Sequence, residues 1–304
     1  MLIEKIQNRE SGIVLYGIVP PKAGTPPERV QEIAALQAQR ISPLPVDGLV
    51  VYDIFDETSR TAEKRPFPFM ETLDGCDYSQ KYLADLDLPR IIYRSAGKYS
   101  ESELTQFLQR ADHEKLLTVF VGAASSQQAV TMTMPEAYAL KSKVAPKVPL
   151  GGVTIPERHD SKGNEHLNVF NKIQQGCSFF VSQGVYDLTS SKNLLSDYYY
   201  HAQDNDLPMV PIIFTLTPCG SLQTLKFMKW LGISIPRWLE NDLTHAADIL
   251  EKSVDVSEQN WLELKAYADE KGIPVGCNIE SVAIRKLEVE ASIELVQRIA
   301  GGRA

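Results

Sequence analysis

Carboxylates, an imidazole and amides recur at the points where short apolar runs of this chain end. Asp53 and Glu57 follow GLVVY, the trio Glu157, Arg158 and His159 follows LGGVTIP, Gln183 follows CSFFVS, and Glu280 follows VGCNI. A carboxylic acid held at the end of an apolar strand is suited to proton transfer, a step that typically contributes about 10²–10⁴-fold in rate. In Ile155-Pro156-Glu157-Arg158-His159 a proline fixes the exit from a strand and is followed by an acid, a base and an imidazole. Taken alone, this segment reads equally well as an ordinary solvated loop. Metal chemistry is not expected. His159 and His166 are seven residues apart, and no histidine pair has ligand spacing with a matching carboxylate. A serine hydrolase is also disfavoured, because Ser182 stands between Val181 and Gln183 without a G-x-S-x-G turn. An aldolase-type barrel would need a lysine at a strand end, and the nearest, Lys98, falls in a loop.

The elements that must position these groups alternate along the whole chain. Strand candidates are Ile13–Val19, Gly48–Ile54, Arg90–Ala96, Leu117–Ala124, Leu150–Ile155, Cys177–Gln183, Met209–Thr217 and Val275–Ser281. Runs such as IVLYGIV and LTVFVGAA are nearly continuous in apolar residues, as parallel strands buried on both faces require. Helices are expected over Pro27–Gln39, Ser79–Leu86, Glu101–Ala111, Pro135–Lys143, Glu165–Gln175, Lys192–Asn205, Leu222–Leu231 and Ser257–Lys271. Ser100 before Glu101 and Glu103, and Ser257 before Glu258, read as helix starts; Lys271-Gly272 reads as a helix end. Eight strand–helix repeats predict a single (β/α)8 barrel over residues 1–304, with its ligand site at the carboxyl ends of the strands. The competing open doubly wound sheet lacks its usual sign, since PPKAGTPPE rather than G-x-G-x-x-G follows the first strand. Two insertions, 56–77 and 235–255, are candidate lids over the site, or loops packed on their own aromatics.

Bulk properties narrow the partners. With 31 basic against 39 acidic residues the net charge is −8, which opposes a broad nucleic-acid-binding face. The N-terminus MLIEKIQNRESG is charged and is not a secretory signal, and no run approaches the roughly 20 apolar residues of a membrane span. Four dispersed cysteines form no C-x-x-C pair and are expected to be reduced, in a cytoplasmic protein without membrane partners.

The stretch GGVTIPERHDSKGNEHLNVFNKIQQGCSFFVSQGVYD resembles the most characteristic block of the methylenetetrahydrofolate reductases: a P-E-x-H turn, a lysine-bearing helix, and a strand ending near a glutamine with an aromatic-Asp pair beyond. PIIFTLTPCGSLQTLKFMKWLGISIPRWLENDL resembles that family's seventh strand, helix and following I-P segment, and Pro20-Pro21 matches a proline pair after the first strand. The resemblance covers most of the chain and implies a flavin-dependent oxidoreductase of folate one-carbon metabolism, using FAD and NAD(P)H. It implies contacts to FAD from Gly122, from the pair Tyr138-Ala139, from His159, and from Glu165, Asn168 and Lys172. The last three, at i, i+3 and i+7, share a helix face on which an acid would meet ribose hydroxyls and a cation would meet phosphates. It also implies that Gln183 binds the folate pterin.

Departures from the family pattern are concentrated at the reacting end. The glutamate that the family carries on its first strand is Gly17 here; the R-G-D segment becomes Val121-Gly122-Ala123, and Y-T-L-N becomes Asn278-Ile279-Glu280-Ser281. Glu280 is the expected replacement acid, acting beside Gln183, with Asp53 and Glu57 as candidate substrate contacts or substitutes. The alternative expectation is a flavin-free folate or one-carbon binding or transferase protein on the same barrel, with a second copy or another polypeptide as candidate partner.

Overall fold

The eight apolar runs become eight parallel strands: β1 (Ile13–Ile18), β2 (Gly48–Val51), β3 (Arg90–Ser95), β4 (Leu117–Val121), β5 (Leu150–Thr154), β6 (Cys177–Gly184), β7 (Ile212–Leu216) and β8 (Val275–Ile279). They pair in sequence order, and β8 closes on β1 with Ile13 opposite Gly276 and Tyr16 opposite Ile279. The expected (β/α)8 barrel is the fold. The structure is a computed structural model that describes residues 1–58, 61–123 and 128–301. The expected fourth strand extended to Ala124, which lies outside the described residues.

Helices flank the barrel: α1 (Leu2–Gln7), α2 (Pro27–Ile41), α3 (Gly75–Tyr82), α4 (Glu101–Glu114), α5 (Met134–Val144), α6 (Pro156–Lys162), α7 (Glu165–Gln174), α8 (Leu188–Asp204), α9 (Leu222–Trp230), α10 (Arg237–His245), α11 (Ile249–Lys271) and α12 (Lys286–Gly301). Ser100 caps α4 as expected, its hydroxyl accepting from the Glu103 amide at 3.3 Å. Gly272 ends α11 in the left-handed region at φ +66°. The start of α11 differs from expectation. It begins at Ile249, because the Asp248 carboxylate accepts from the Leu250 and Glu251 amides, and Ser257 is an interior residue bonded to the Ser253 carbonyl. Similarly, α3 starts four residues earlier than expected, with Asp74 as its cap.

Two apolar layers hold the barrel. Ile13, Leu15, Val50, Ile91, Leu117, Val119, Phe179, Val181 and Ile213 fill its interior, joined by Leu2 and Ile6 of α1. A larger layer fills the space between strands and helices. Both insertions pack on the body. Leu239 and Leu243 of α10 join Tyr186, Met228 and Ile233 in a separate apolar cluster. In the first insertion Phe67 meets Phe227 edge to face at 5.2 Å, and the Trp230 indole donates to the Glu63 carbonyl at 3.0 Å. Among the described residues no helix is long and apolar enough to cross a membrane, and the four cysteines are free and buried.

Candidate functional site

The barrel register brings the ends of β1, β2 and β8 together, and a displaced acid lies among them. A Cβ added to Gly17 would come 3.1 Å from the Glu280 Cβ, 2.9 Å from Tyr52 Cε2 and 3.3 Å from Asn278 Oδ1. Glu280 therefore stands against the backbone where the family's first-strand glutamate would emerge, and only a residue without a side chain leaves room for it. Burial pushes the Glu280 carboxyl up to about 7, partly offset by hydrogen bonds with Tyr52 and Asn278. The Tyr52 and Tyr93 rings meet edge to face at 4.7 Å, and burial together with the nearby Glu280 raises both phenols well above their usual range. Asn278 is fully buried; its Nδ2 donates to the Tyr52 hydroxyl at 2.8 Å, while its Oδ1 has no partner among the described residues. The result is an acid raised toward neutrality beside a buried amide oxygen. Tyr52 escaped the sequence reading because it belongs to an apolar run, although it directly follows β2 and precedes Asp53.

Asp53 is spent within the protein. It accepts from Lys98 at 2.6 Å, from the Ser95 amide at 2.8 Å and from the Tyr99 hydroxyl at 2.9 Å. Lys98, in a 3-10 turn over Ala96–Lys98, also donates to the Ile54 carbonyl and so ties β2 to β3. Glu57 is partly buried; burial lowers the Arg65 pKa, and the Glu57 charge opposes that shift. Gln183, at the end of β6, turns its amide to the Leu231 carbonyl at 2.6 Å, beyond the end of α9.

The Ile155-to-His159 segment is a helix rather than a loop. Pro156 occupies its first turn, where a missing N–H costs nothing. Glu157 is a second acid pushed up to about 7, mainly by burial and further by the charges of Asp187 and Asp160. One of its oxygens accepts from the Ser234 amide at 3.4 Å, and the other has no partner among the described residues. His159 is buried and bonded through Nε2 to Asp197 at 2.9 Å.

The structure does bring Glu165, Asn168 and Lys172 together on α7, but their polar atoms serve the fold. Glu165 is 2% exposed; one oxygen accepts from the Thr154 hydroxyl and the Ile155 amide, the other from Asn168 Nδ2 at 2.9 Å. Lys172 donates to the Val153 carbonyl at 2.6 Å, and burial lowers its pKa. Tyr138 is buried against Phe120, whereas Ala139 and Gly122 are exposed. A dinucleotide would need ribose and phosphate contacts from groups already bonded to β5, so in this arrangement the face does not fit FAD. A recess of about 520 Å³ lies beside Asp74, Asp77, Tyr78 and Arg110, and none of the expected site residues lines it.

The family model for methylenetetrahydrofolate reductase matches residues 110–266, just over half of the chain. The chain belongs to the methylenetetrahydrofolate reductase family. A solved structure of an uncharacterized protein from Clostridium thermocellum, described as binding two copies of 5-methyl-5,6,7,8-tetrahydrofolic acid, is 50% identical and superposes with a TM-score of 0.88. That match covers 98% of this chain and 99% of the other. A GH10 endoxylanase retrieved from sugarcane soil metagenome, 9% identical with a TM-score of 0.50 over 97% of this chain and 99% of that one, shares the barrel alone. Comparison with curated proteins gives no match. Gly17 and Glu280, where the sequence departs from the expected family pattern, both lie outside the matched segment.

Proposed function

We propose that this chain binds a reduced folate of the 5-methyltetrahydrofolate class at the β8–β1–β2 end of the barrel, and that Glu280 carries the proton exchanged with the pterin. The observation that carries this reading is the contact between Glu280 and Gly17: the acid missing from β1 has a counterpart on the adjacent strand, in the same place. A pterin edge offers an amino group and a ring N–H as donors. Asn278 Oδ1 is a buried acceptor without a partner among the described residues, and such a group favours a ligand that supplies the missing donor. A carboxyl poised near 7 can give its proton to a ring nitrogen and take it back near neutral pH. The folate bound by the Clostridium thermocellum protein, at 50% identity across nearly the whole chain, supports the ligand class.

Flavin-dependent reduction with NAD(P)H is the second reading, favoured by the meeting of Glu165, Asn168 and Lys172 on one helix face. It requires those groups to exchange their present partners for the cofactor. A cytoplasmic setting accords with four free, buried cysteines under either reading.

Calorimetric titration of the purified chain with 5-methyltetrahydrofolate, and separately with FAD followed by visible absorption, tests both. Saturable folate binding that Glu280→Gln weakens or strips of its pH dependence, without a flavin spectrum, is the expected result. Absence of folate binding overturns the first reading. A bound-flavin spectrum lost in Lys172→Ala would establish the second.

A further inference from the structure

We propose that His159, His166 and Asp197 form a binding site for a divalent transition-metal ion of the zinc class, on the flank of the barrel where α6, α7 and α8 meet. One ligand atom from each lies within 4.8 Å of the others. His159 Nε2 and Asp197 Oδ2 are already 2.9 Å apart. Four-coordinate zinc with bonds of about 2.0–2.2 Å sets its ligand atoms roughly 3.3 Å apart, so a modest turn of the His166 ring closes the set.

A second, independent observation points to a ligand. Among the described residues the buried Nδ1 of His166 has no hydrogen-bond partner, while His159, 4% exposed, already turns its Nε2 to Asp197. Imidazole nitrogens in such settings are normally paired. The rings of His166 and His159 meet edge to face at 5.2 Å, and those of His166 and His201 at 5.5 Å. His201 follows Asp197 by one turn of α8, so the two share a helix face, and its ring borders the set through His166. Two imidazoles with a carboxylate suit zinc, cobalt or nickel rather than magnesium or calcium. Asp197, with its side chain 54% exposed, opens the cluster to ions from solvent.

The sequence conceals this set because Asp197 comes from a different helix than either of the first two histidines. An ion here would tie α6 to α7 and α8, and through α6 fix the turn that carries Glu157 at the end of β5. It lies outside the mouth and does not rest on the folate reading.

The test uses the full chain, stripped with a chelator and titrated with Co²⁺, with visible absorption reporting tetrahedral coordination and thermal melting with Zn²⁺ reporting stabilisation. His166→Ala and Asp197→Asn are expected to weaken Co²⁺ binding by about tenfold or more, and His201→Ala by less. His113→Ala, altering an exposed histidine on α4, is expected to leave binding unchanged. Circular dichroism of each variant separates lost binding from lost folding. His159 is left intact because its burial would confuse the two. If Co²⁺ gives no saturable spectrum, or if folded His166→Ala binds as well as the parent chain, the cluster is only packed aromatic rings and the proposal fails.

Discussion

The β8–β1–β2 end of the barrel and the α7–β5 face both collect buried polar groups, yet they treat them in opposite ways. Around Glu165 each oxygen has a donor, and Lys172 has a carbonyl. Around Glu280 the acid is pushed toward neutrality and a neighbouring amide oxygen has no partner among the described residues. A satisfied buried network stabilises and fixes a fold, whereas an incompletely satisfied one is costly unless a ligand completes it. The family resemblance places its cofactor residues on the first kind of surface, and the physical signs of a binding site lie on the second.

The largest expected effect is on stability at the satisfied face. Glu165→Ala removes the acceptor for the Thr154 hydroxyl and the Ile155 amide, and should lower the unfolding free energy by about 2–4 kcal/mol in urea titrations. A loss below about 1 kcal/mol would show that this face is not structural and revive its role in cofactor binding. Next comes Gly17→Ala. The new methyl would press on Tyr52, Glu280 and Asn278, so affinity for 5-methyltetrahydrofolate should fall by about tenfold or more, roughly 1.4 kcal/mol, in calorimetry. Unchanged affinity would move the ligand away from this corner.

The pH response of Glu280 sharpens the same contrast. Its folded pKa, about 7, lies above the ordinary carboxylate value of 4.5, so the folded state holds the proton more tightly than the unfolded chain. The associated stability is full below about 4.5 and is lost as pH rises through 7. Denaturation of Glu280→Gln at pH 5 and pH 8 should therefore show a smaller decline than the parent, with the remainder due to Glu157, which is raised in the same way. Equal declines would mean that Glu280 is not the buried acid. The smallest effect is expected from Lys172→Met, which loses one bond to a carbonyl, about 1 kcal/mol of stability, with folate affinity unchanged. Under the flavin reading the same change should instead weaken FAD binding by about 1.5–3 kcal/mol.

The barrel was legible in the sequence because parallel strands buried on both faces leave apolar runs that no amphipathic helix imitates. Elements governed by capping were harder to place. The first turns of α11 hang on Asp248 rather than Ser257, and α6 looked like a loop because Pro-Glu-Arg-His-Asp is polar, although proline is at ease in a first helical turn. At the site, Glu280 could be singled out because an acid directly follows the apolar run of β8, where the family pattern Y-T-L-N has a leucine, while the first strand lacks its acid at Gly17. Contacts between distant segments left no trace in spacing: the meeting of Asp197 with His159, or the turning of Gln183 toward Leu231, depends on how whole helices seat on the barrel.

The crowding at residue 17 also makes the two neighbouring strands interdependent. With Tyr52 in place, a bulky residue at 17 and a glutamate at 280 compete for the same volume. In a library randomised at positions 17, 52 and 280 and selected for folding, survivors should trade size between the strands, small with large, while variants large at both positions drop out. Restoring an acid to the first strand would thus have to proceed together with shrinking the eighth, a coupled exchange rather than a single reversion.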